Sequence, residues 1–98
     1  MPAYAIGRLR AENWSWLKEY GPPVTALIEK HGGRYLARGG AMKNLEGDEG
    51  LPDAYVMLEF PSMEQAQAWY DDPEYAPLIE LRQANCGLQF HLIQGLEP

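Results

Sequence analysis

The stretch Leu58–Tyr75, LEFPSMEQAQAWYDDPEY, constrains the fold more than any other part of the chain, because it carries a strand end, a helix start and a helix stop in sequence. Val56, Leu58 and Phe60 alternate with Tyr55, Met57 and Glu59, the period-two pattern of a strand. Pro61 ends the strand, and Ser62 stands three residues before Gln65, a capping-box spacing. The Ser62 hydroxyl is placed to accept from the Gln65 backbone N–H while the Gln65 side chain reaches back to Ser62. Met63, Ala66 and Trp69 or Tyr70 then share one helical face. Asp71-Asp72-Pro73 stops the helix, because a residue before proline is pushed out of the α region.

The other elements count outward from this unit. Ala3–Arg10 has strand alternation, with Tyr4, Ile6 and Arg8 on one side and Ala5, Gly7 and Leu9 on the other. Small residues at 5 and 7 let something bulky approach, a helix before a ligand. Asn13 is an expected N-cap for a helix whose apolar positions are Leu17, Tyr20, Val24, Leu27, Ile28 and His31. Gly21-Pro22-Pro23 predicts a break or kink in it, since two prolines remove two donors and clash with the preceding turn. Gly32 suits a left-handed C-cap. Arg34–Arg38 reads as the second strand, with Tyr35 and Ala37 facing one way and Arg34, Leu36 and Arg38 the other. A long, acidic, glycine-rich loop follows to Asp53, of the kind that is functional or mobile in compact domains. Beyond Pro73, a turn over 74–76 and a helix from Pro77 put Leu78, Leu81 and Arg82 on one side. Gly87 closes that helix, and 88–93 is the last strand, with Leu88, Phe90 and Leu92 opposed to Gln89, His91 and Ile93. Residues 95–98 form a tail.

The order β-α-β-β-α-β predicts an α+β, ferredoxin-like fold: a four-stranded antiparallel sheet with helices on one face. At 98 residues, the chain has room for one domain spanning 1–98. The helix-free face carries apolar residues, and a second copy of the chain would cover it, giving a homodimeric α/β barrel with an enclosed interior.

A formal net charge of −6 with no basic cluster argues against nucleic acid and anionic lipid as partners. The ferredoxin-like order is shared by RNA-recognition domains, but the aromatic RNA-binding strand motif is absent. The start MPAYAIGRLR has neither a signal peptide's apolar core nor a membrane span, and one cysteine, Cys86, excludes an internal disulfide. These features read as a soluble cytoplasmic protein with no membrane partner.

The candidate chemistry is sparse. Arg34 and Arg38 on one strand face form a possible carboxylate clamp, and Glu59 on the neighbouring strand is either a salt-bridge partner for one of them or a general base. His31 at a helix C-terminus is explained by the macrodipole, and His91 in mid-strand is the better proton-transfer candidate. A pocket between sheet and helices is expected to draw on Tyr20, Arg38, Glu59 and His91. Trp69, Tyr70 and Tyr75 would wall it or fill the core. Trp14 and Trp16 read as partly exposed or as covering a dimer edge, and Cys86 as a small buried hydrophobe. His31, His91 and Cys86 have no metal-ligand spacing, GGRYLARGG is not a phosphate loop, and no cofactor is implied.

MPAYAIGR, HGGRYLARGG, LEGD, LEFPSMEQAQAWYDDPEY and the later LR together resemble the domain-of-unknown-function 1330 family over nearly the whole chain. That resemblance implies the dimeric α/β-barrel superfamily, whose relatives include cofactor-free monooxygenases, muconolactone isomerases and haem-using enzymes of the chlorite dismutase type. The family's usual tryptophan after LEGD and arginine before the third strand are here Glu49 and Ala54. The expectation is a cofactor-free small-molecule enzyme, monooxygenase- or isomerase-like, acting on a small anionic or aromatic compound. His91 and Glu59 are its catalytic candidates, and Tyr20, Arg34, Arg38, Trp69, Tyr70 and Tyr75 its substrate-binding ones. The alternative is a non-catalytic small-molecule-binding or stress-related module.

Overall fold

The strand, corner and helix read from Leu58–Tyr75 are present in the structure, a computed structural model that describes residues 1–97. The expected tail is therefore followed to Glu97, and Pro98 lies outside the described residues. The elements are β1 (Ala3–Arg10), α1 (Leu17–Lys30), β2 (Arg34–Arg38), β3 (Ala54–Phe60), α2 (Met63–Tyr70), α3 (Ala76–Asn85) and β4 (Gly87–Gln94). The strands form one antiparallel sheet in the order β2-β3-β1-β4, the ferredoxin-like arrangement.

The alternation in β1 and β3 decides which face is dry. Ala3, Ala5, Leu58 and Phe60 are buried together with Val24, Leu27 and Ile28 of α1 and Ala66 and Trp69 of α2. The small residues of β1 have two different neighbours. Ala3 and Ala5 belong to the cluster under the helices, whereas a Cβ at Gly7 would meet Val56 Cγ1 at 2.8 Å and Leu88 Cδ1 at 3.1 Å. Side chains from the two flanking strands, not a helix, fill the space at Gly7.

The helix ends follow local chemistry, with one departure from expectation. Ser62 Oγ accepts from the Gln65 backbone N–H at 3.1 Å, so one half of the capping box is made. The Gln65 side chain also reaches back to Ser62, its Oε1 accepting from the Ser62 hydroxyl at 3.3 Å. Its Nε2 donates to the carbonyl of His31 at 3.3 Å, tying the start of α2 to the end of α1. At that end Gly32 has φ +80°, Gly33 N–H donates to Ile28 O at 2.8 Å and Gly32 N–H to Glu29 O at 3.0 Å, a Schellman motif. Asn13 does not cap α1, whose N-cap position is Trp16. Asn13 Oδ1 instead accepts from Ser15 N–H at 2.8 Å, an Asx turn that precedes the helix.

Gly21-Pro22-Pro23 does not break α1, which runs as one helix from Leu17 to Lys30. The prolines remove the donors that would serve the Lys18 and Glu19 carbonyls, and all four of these residues are exposed. Water can therefore take the place of the lost bonds. α3 begins at Ala76, one residue before the expected start, which puts Pro77 at its second position.

The clearest correction concerns β2. Arg34 pairs with Glu59 and Tyr35 with Leu58, but Ala37 pairs with Met57 and Arg38 with Val56, so Leu36 is an extra residue in a β-bulge. The bulge reverses the alternation beyond it. Arg34 and Arg38 consequently do not share a face: Arg38 joins Tyr35 on the helix side, and its guanidinium lies 4.4 Å from the Tyr35 ring centroid.

The acidic loop between β2 and β3 folds over the helix-free face. It is tied to β1 by Asp53 N–H to Leu9 O at 2.9 Å, Ala11 N–H to Asp53 Oδ2 at 3.0 Å and Arg10 Nη2 to Leu51 O at 3.2 Å. Beneath it a hollow of mixed polar and apolar lining is bordered by Ile6, Arg8 and Met57. Among the described residues, no helix is long and apolar enough to cross a membrane.

Candidate functional site

Between the sheet and the α1–α3 side lies a cavity of about 450 Å³, within the range of small-molecule sites. Its walls come from distant parts of the chain: Trp16, Tyr20 and Val24 of the α1 region, Tyr35 and Arg38 of β2, Val56 and Leu58 of β3, Trp69 of α2, and Phe90 of β4. Trp16 packs edge-on against Tyr20 at 5.3 Å, and Trp69 stacks on Tyr75 at 4.8 Å. Trp16 is buried, so the expectation that it would be partly exposed is corrected; Trp14 is half-buried beside it. The half-exposed Leu17 and the exposed Arg38 and Gly39 also border the cavity.

One corner of this apolar space is polar. The hydroxyls of Tyr20 and Tyr75 are 2.5 Å apart, and Arg82 Nη1 donates to both, at 3.2 and 2.8 Å. Tyr75 is fully buried and Arg82 is 3% exposed. Burial pushes both phenols up from the ordinary tyrosine range; Tyr75 is pushed furthest, its neighbour Tyr20 adding to the effect. Both therefore remain neutral hydroxyls at physiological pH. Sequence reasoning passed over Arg82. Its signal was a charged residue four positions after Leu78, on the side of α3 that otherwise carries apolar residues.

The sequence-predicted residues divide between two faces of the sheet. Tyr20, Trp69, Tyr75 and Arg38 all reach the cavity. Tyr70 is 37% exposed and borders a smaller space of about 270 Å³ with Trp69 and the 90–92 segment of β4. Arg34 and Glu59 lie on the helix-free face as an ion pair, Arg34 Nε to Glu59 Oε1 at 2.9 Å. His91 is exposed and pairs in register with Ile6, so it shares that face, but β1 separates it from Glu59. Strand alternation thus keeps Glu59 and His91 out of the pocket in which sequence reasoning had grouped them with Tyr20 and Arg38.

His31 has a partner that the macrodipole reading did not foresee. Asp72 Oδ2 accepts from His31 Nε2 at 2.8 Å and from Lys30 Nζ at 2.9 Å, while Asp72 Oδ1 accepts from Glu74 N–H at 2.9 Å. The His31 bond, then the Lys30 bond, then the Glu74 N–H hold the Asp72 carboxyl well below the usual carboxylate range. This network joins α1 to the α2–α3 corner away from the cavity. Cys86 is half-buried, its thiol pushed up by burial. Among the described residues, no group of three or more His, Cys, Asp or Glu side chains is placed to hold a metal ion.

The fold and cavity together define a small ferredoxin-like α+β protein with an arginine-ended apolar pocket on the helix side of its sheet. The chain belongs to the family described as Domain of unknown function (DUF1330), whose family model matches residues 2–96. No curated protein matches the sequence. Among solved structures, it is similar to a protein of unknown function from Rhodopseudomonas palustris, with TM-score 0.77 and 20% identity, covering 99% of this chain and 84% of that one. It is also similar to SnoaB, a cofactor-independent oxygenase from Streptomyces nogalater (TM-score 0.65, 8% identity, 99% of this chain and 95% of that one). A dimeric ferredoxin-like protein of unknown function from Jannaschia sp. CCS1 matches at TM-score 0.62 and 14% identity, over 97% of this chain and 100% of that one. At these identities the likeness is one of fold.

Proposed function

We propose that this chain is a cofactor-free small-molecule protein, oxygenase- or isomerase-like, that works as a cytoplasmic homodimer and takes a small anionic or aromatic compound. The observation that carries the reading is the cavity of about 450 Å³, walled by aromatic and aliphatic side chains and ending in two hydroxyls and a guanidinium. The likeness in fold to SnoaB, a cofactor-independent oxygenase, supports the reaction class by analogy of shape alone. The dimeric state of the Jannaschia protein, with Leu36 and Ile93 exposed on this chain, supports a second copy over the open face. A charge of −6 and one free cysteine suit the cytoplasm.

Tyr20, Tyr75 and Arg82 can stabilise negative charge that develops on a substrate oxygen, in surroundings where such contacts are strong. They do not supply a base. Among the described residues, neither a carboxylate nor an imidazole lines the cavity. This favours a second reading, a binding module without turnover, unless the substrate ionises by itself or the base comes from elsewhere. His91 and Glu59 are proposed as that source only for a ligand held between two sheets of a dimer, because both face away from the helix-side cavity.

Native mass spectrometry of protein taken from its source cells tests the reading. A dimer carrying a small organic adduct supports it and names a compound for turnover assays. Turnover lost in His91→Gln or Glu59→Gln, with the fold intact, would place the chemistry on the open face; turnover lost only in Tyr75→Phe would place it in the cavity. No adduct, and no stabilisation by any aromatic probe, would overturn the small-molecule reading.

A further inference from the structure

Arg82 is a cation buried without an anion. It is 3% exposed, and no carboxylate lies within ion-pair distance of it among the described residues. Its partners are phenols: Tyr20 and Tyr75, which burial keeps neutral, with the Tyr70 side chain also acting on it. The Tyr75 and Phe90 ring centroids are 5.9 and 6.0 Å from its Cζ, at the outer limit of a cation–π contact. Neither arrangement replaces a counter-charge for an ion held this deep.

The same corner has more hydrogen-bond donors than acceptors. Arg82 Nε and Trp69 Nε1 are buried and donate to no atom among the described residues. Only one of the two tyrosine hydroxyl hydrogens can serve the bond between the oxygens, and the other has no acceptor among the described residues. Buried donors are normally satisfied, and these residues line one cavity. The missing component is an acceptor that carries negative charge.

We propose that this corner binds one anionic oxygen of an aromatic ligand, a carboxylate or an ionised phenol or enol, with Arg82 as its anchor and the ligand ring against Trp69 and Phe90. The proposal rests on the small-molecule reading above and narrows it to planar organic monoanions. A ligand of this class brings the counter-charge and the acceptors together, and its ring suits walls that are otherwise apolar.

Titration calorimetry of the full chain with 2-naphthoate and with the neutral 2-naphthamide tests it. The wild-type protein is expected to bind the acid at least about ten-fold more tightly than the amide. Arg82→Gln should erase that preference while leaving amide binding, and Arg82→Lys should retain part of it. Adding 4-nitrophenol distinguishes the two oxygen types: ionisation of the bound phenol at lower pH than the free phenol assigns a phenolate or enolate, and a preference for naphthoate without that shift assigns a carboxylate. Equal binding of acid and amide by the wild type, with no nitrophenol shift, would overturn the anchor and leave the cavity reading standing. Failure of all three probes to bind would overturn both. The wild-type comparison decides the matter even where Arg82→Gln does not fold.

Discussion

At Gly33 a single missing methyl group keeps the core closed. A Cβ there would meet the Phe60 ring at 2.5 and 2.7 Å and Ile28 Cγ2 at 2.9 Å, and both of those side chains are fully buried. Gly33→Ala is therefore expected to destabilise by overpacking, at about 1–3 kcal/mol, read as a lower denaturant midpoint with an unchanged slope. A midpoint equal to the wild type would mean that Phe60 can swing aside at no cost. The same scale explains what could be foreseen about the site. Trp69 and Tyr75 were legible because aromatics at helical spacing either wall a pocket or fill a core, and here they do both. Arg82 was passed over as a site residue because no local pattern announces that Tyr20, 62 residues earlier, will be its partner.

Elements show where local rules were overridden. The proline rule predicts a break or kink in α1; no break occurs, because on an exposed face water can serve the orphaned carbonyls. Replacing Pro22 and Pro23 together by Ala restores two donors, and the melting midpoint is expected to rise by the equivalent of about 1 kcal/mol or more. A fall would show that proline stiffness in the unfolded chain outweighs the regained bonds. The bulge in β2 is the second override. One inserted residue carries Arg38 from the open face to the cavity side, a change that alternation alone does not predict.

The Asp72 network ties α1 to the α2–α3 corner, and its effect depends on pH with a definite sign. The folded state holds the Asp72 carboxyl well below the ordinary value of about 3.9, so near that pH the unfolded chain binds more protons than the folded one. The stabilisation is complete above the unfolded value and drains away as pH falls from there towards the folded value. Asp72→Asn should lower stability at neutral pH and flatten its decline below about pH 4. Denaturation midpoints measured across that range check this, and parallel wild-type and variant curves would remove Asp72 from the acid response.

For the whole molecule, the helix-free face is the open question that the proposed dimer answers. Ile93 is 56% exposed on the edge strand β4, on that face. If a second copy covers the face, Ile93→Glu places a buried charge at the contact and should give a monomer by size-exclusion chromatography with an unaltered far-UV circular dichroism spectrum. A dimer that survives the substitution would put the interface elsewhere. The loop over this hollow belongs to this scale too, because its hydrogen bonds to the end of β1 leave less of the face free for a partner than the bare sheet suggests.

Local order was decided by neighbours in sequence. The alternation of Leu58 and Phe60, the Ser62 cap, the Gly32 turn and the Pro73 stop depend on residues a few positions apart, and each operates in the structure as a short-range rule requires. Those rules were enough to assemble the strand order and the dry face of the sheet. Tertiary structure alone decided the chemistry of the site. The bulge that moves Arg38, the meeting of Arg82 with Tyr20 and Tyr75, and the placing of Glu59 and His91 across the sheet from the cavity all depend on register and packing between distant segments. Periodicity specifies which side of its own element a residue occupies. What it meets there is set only when the elements close on one another.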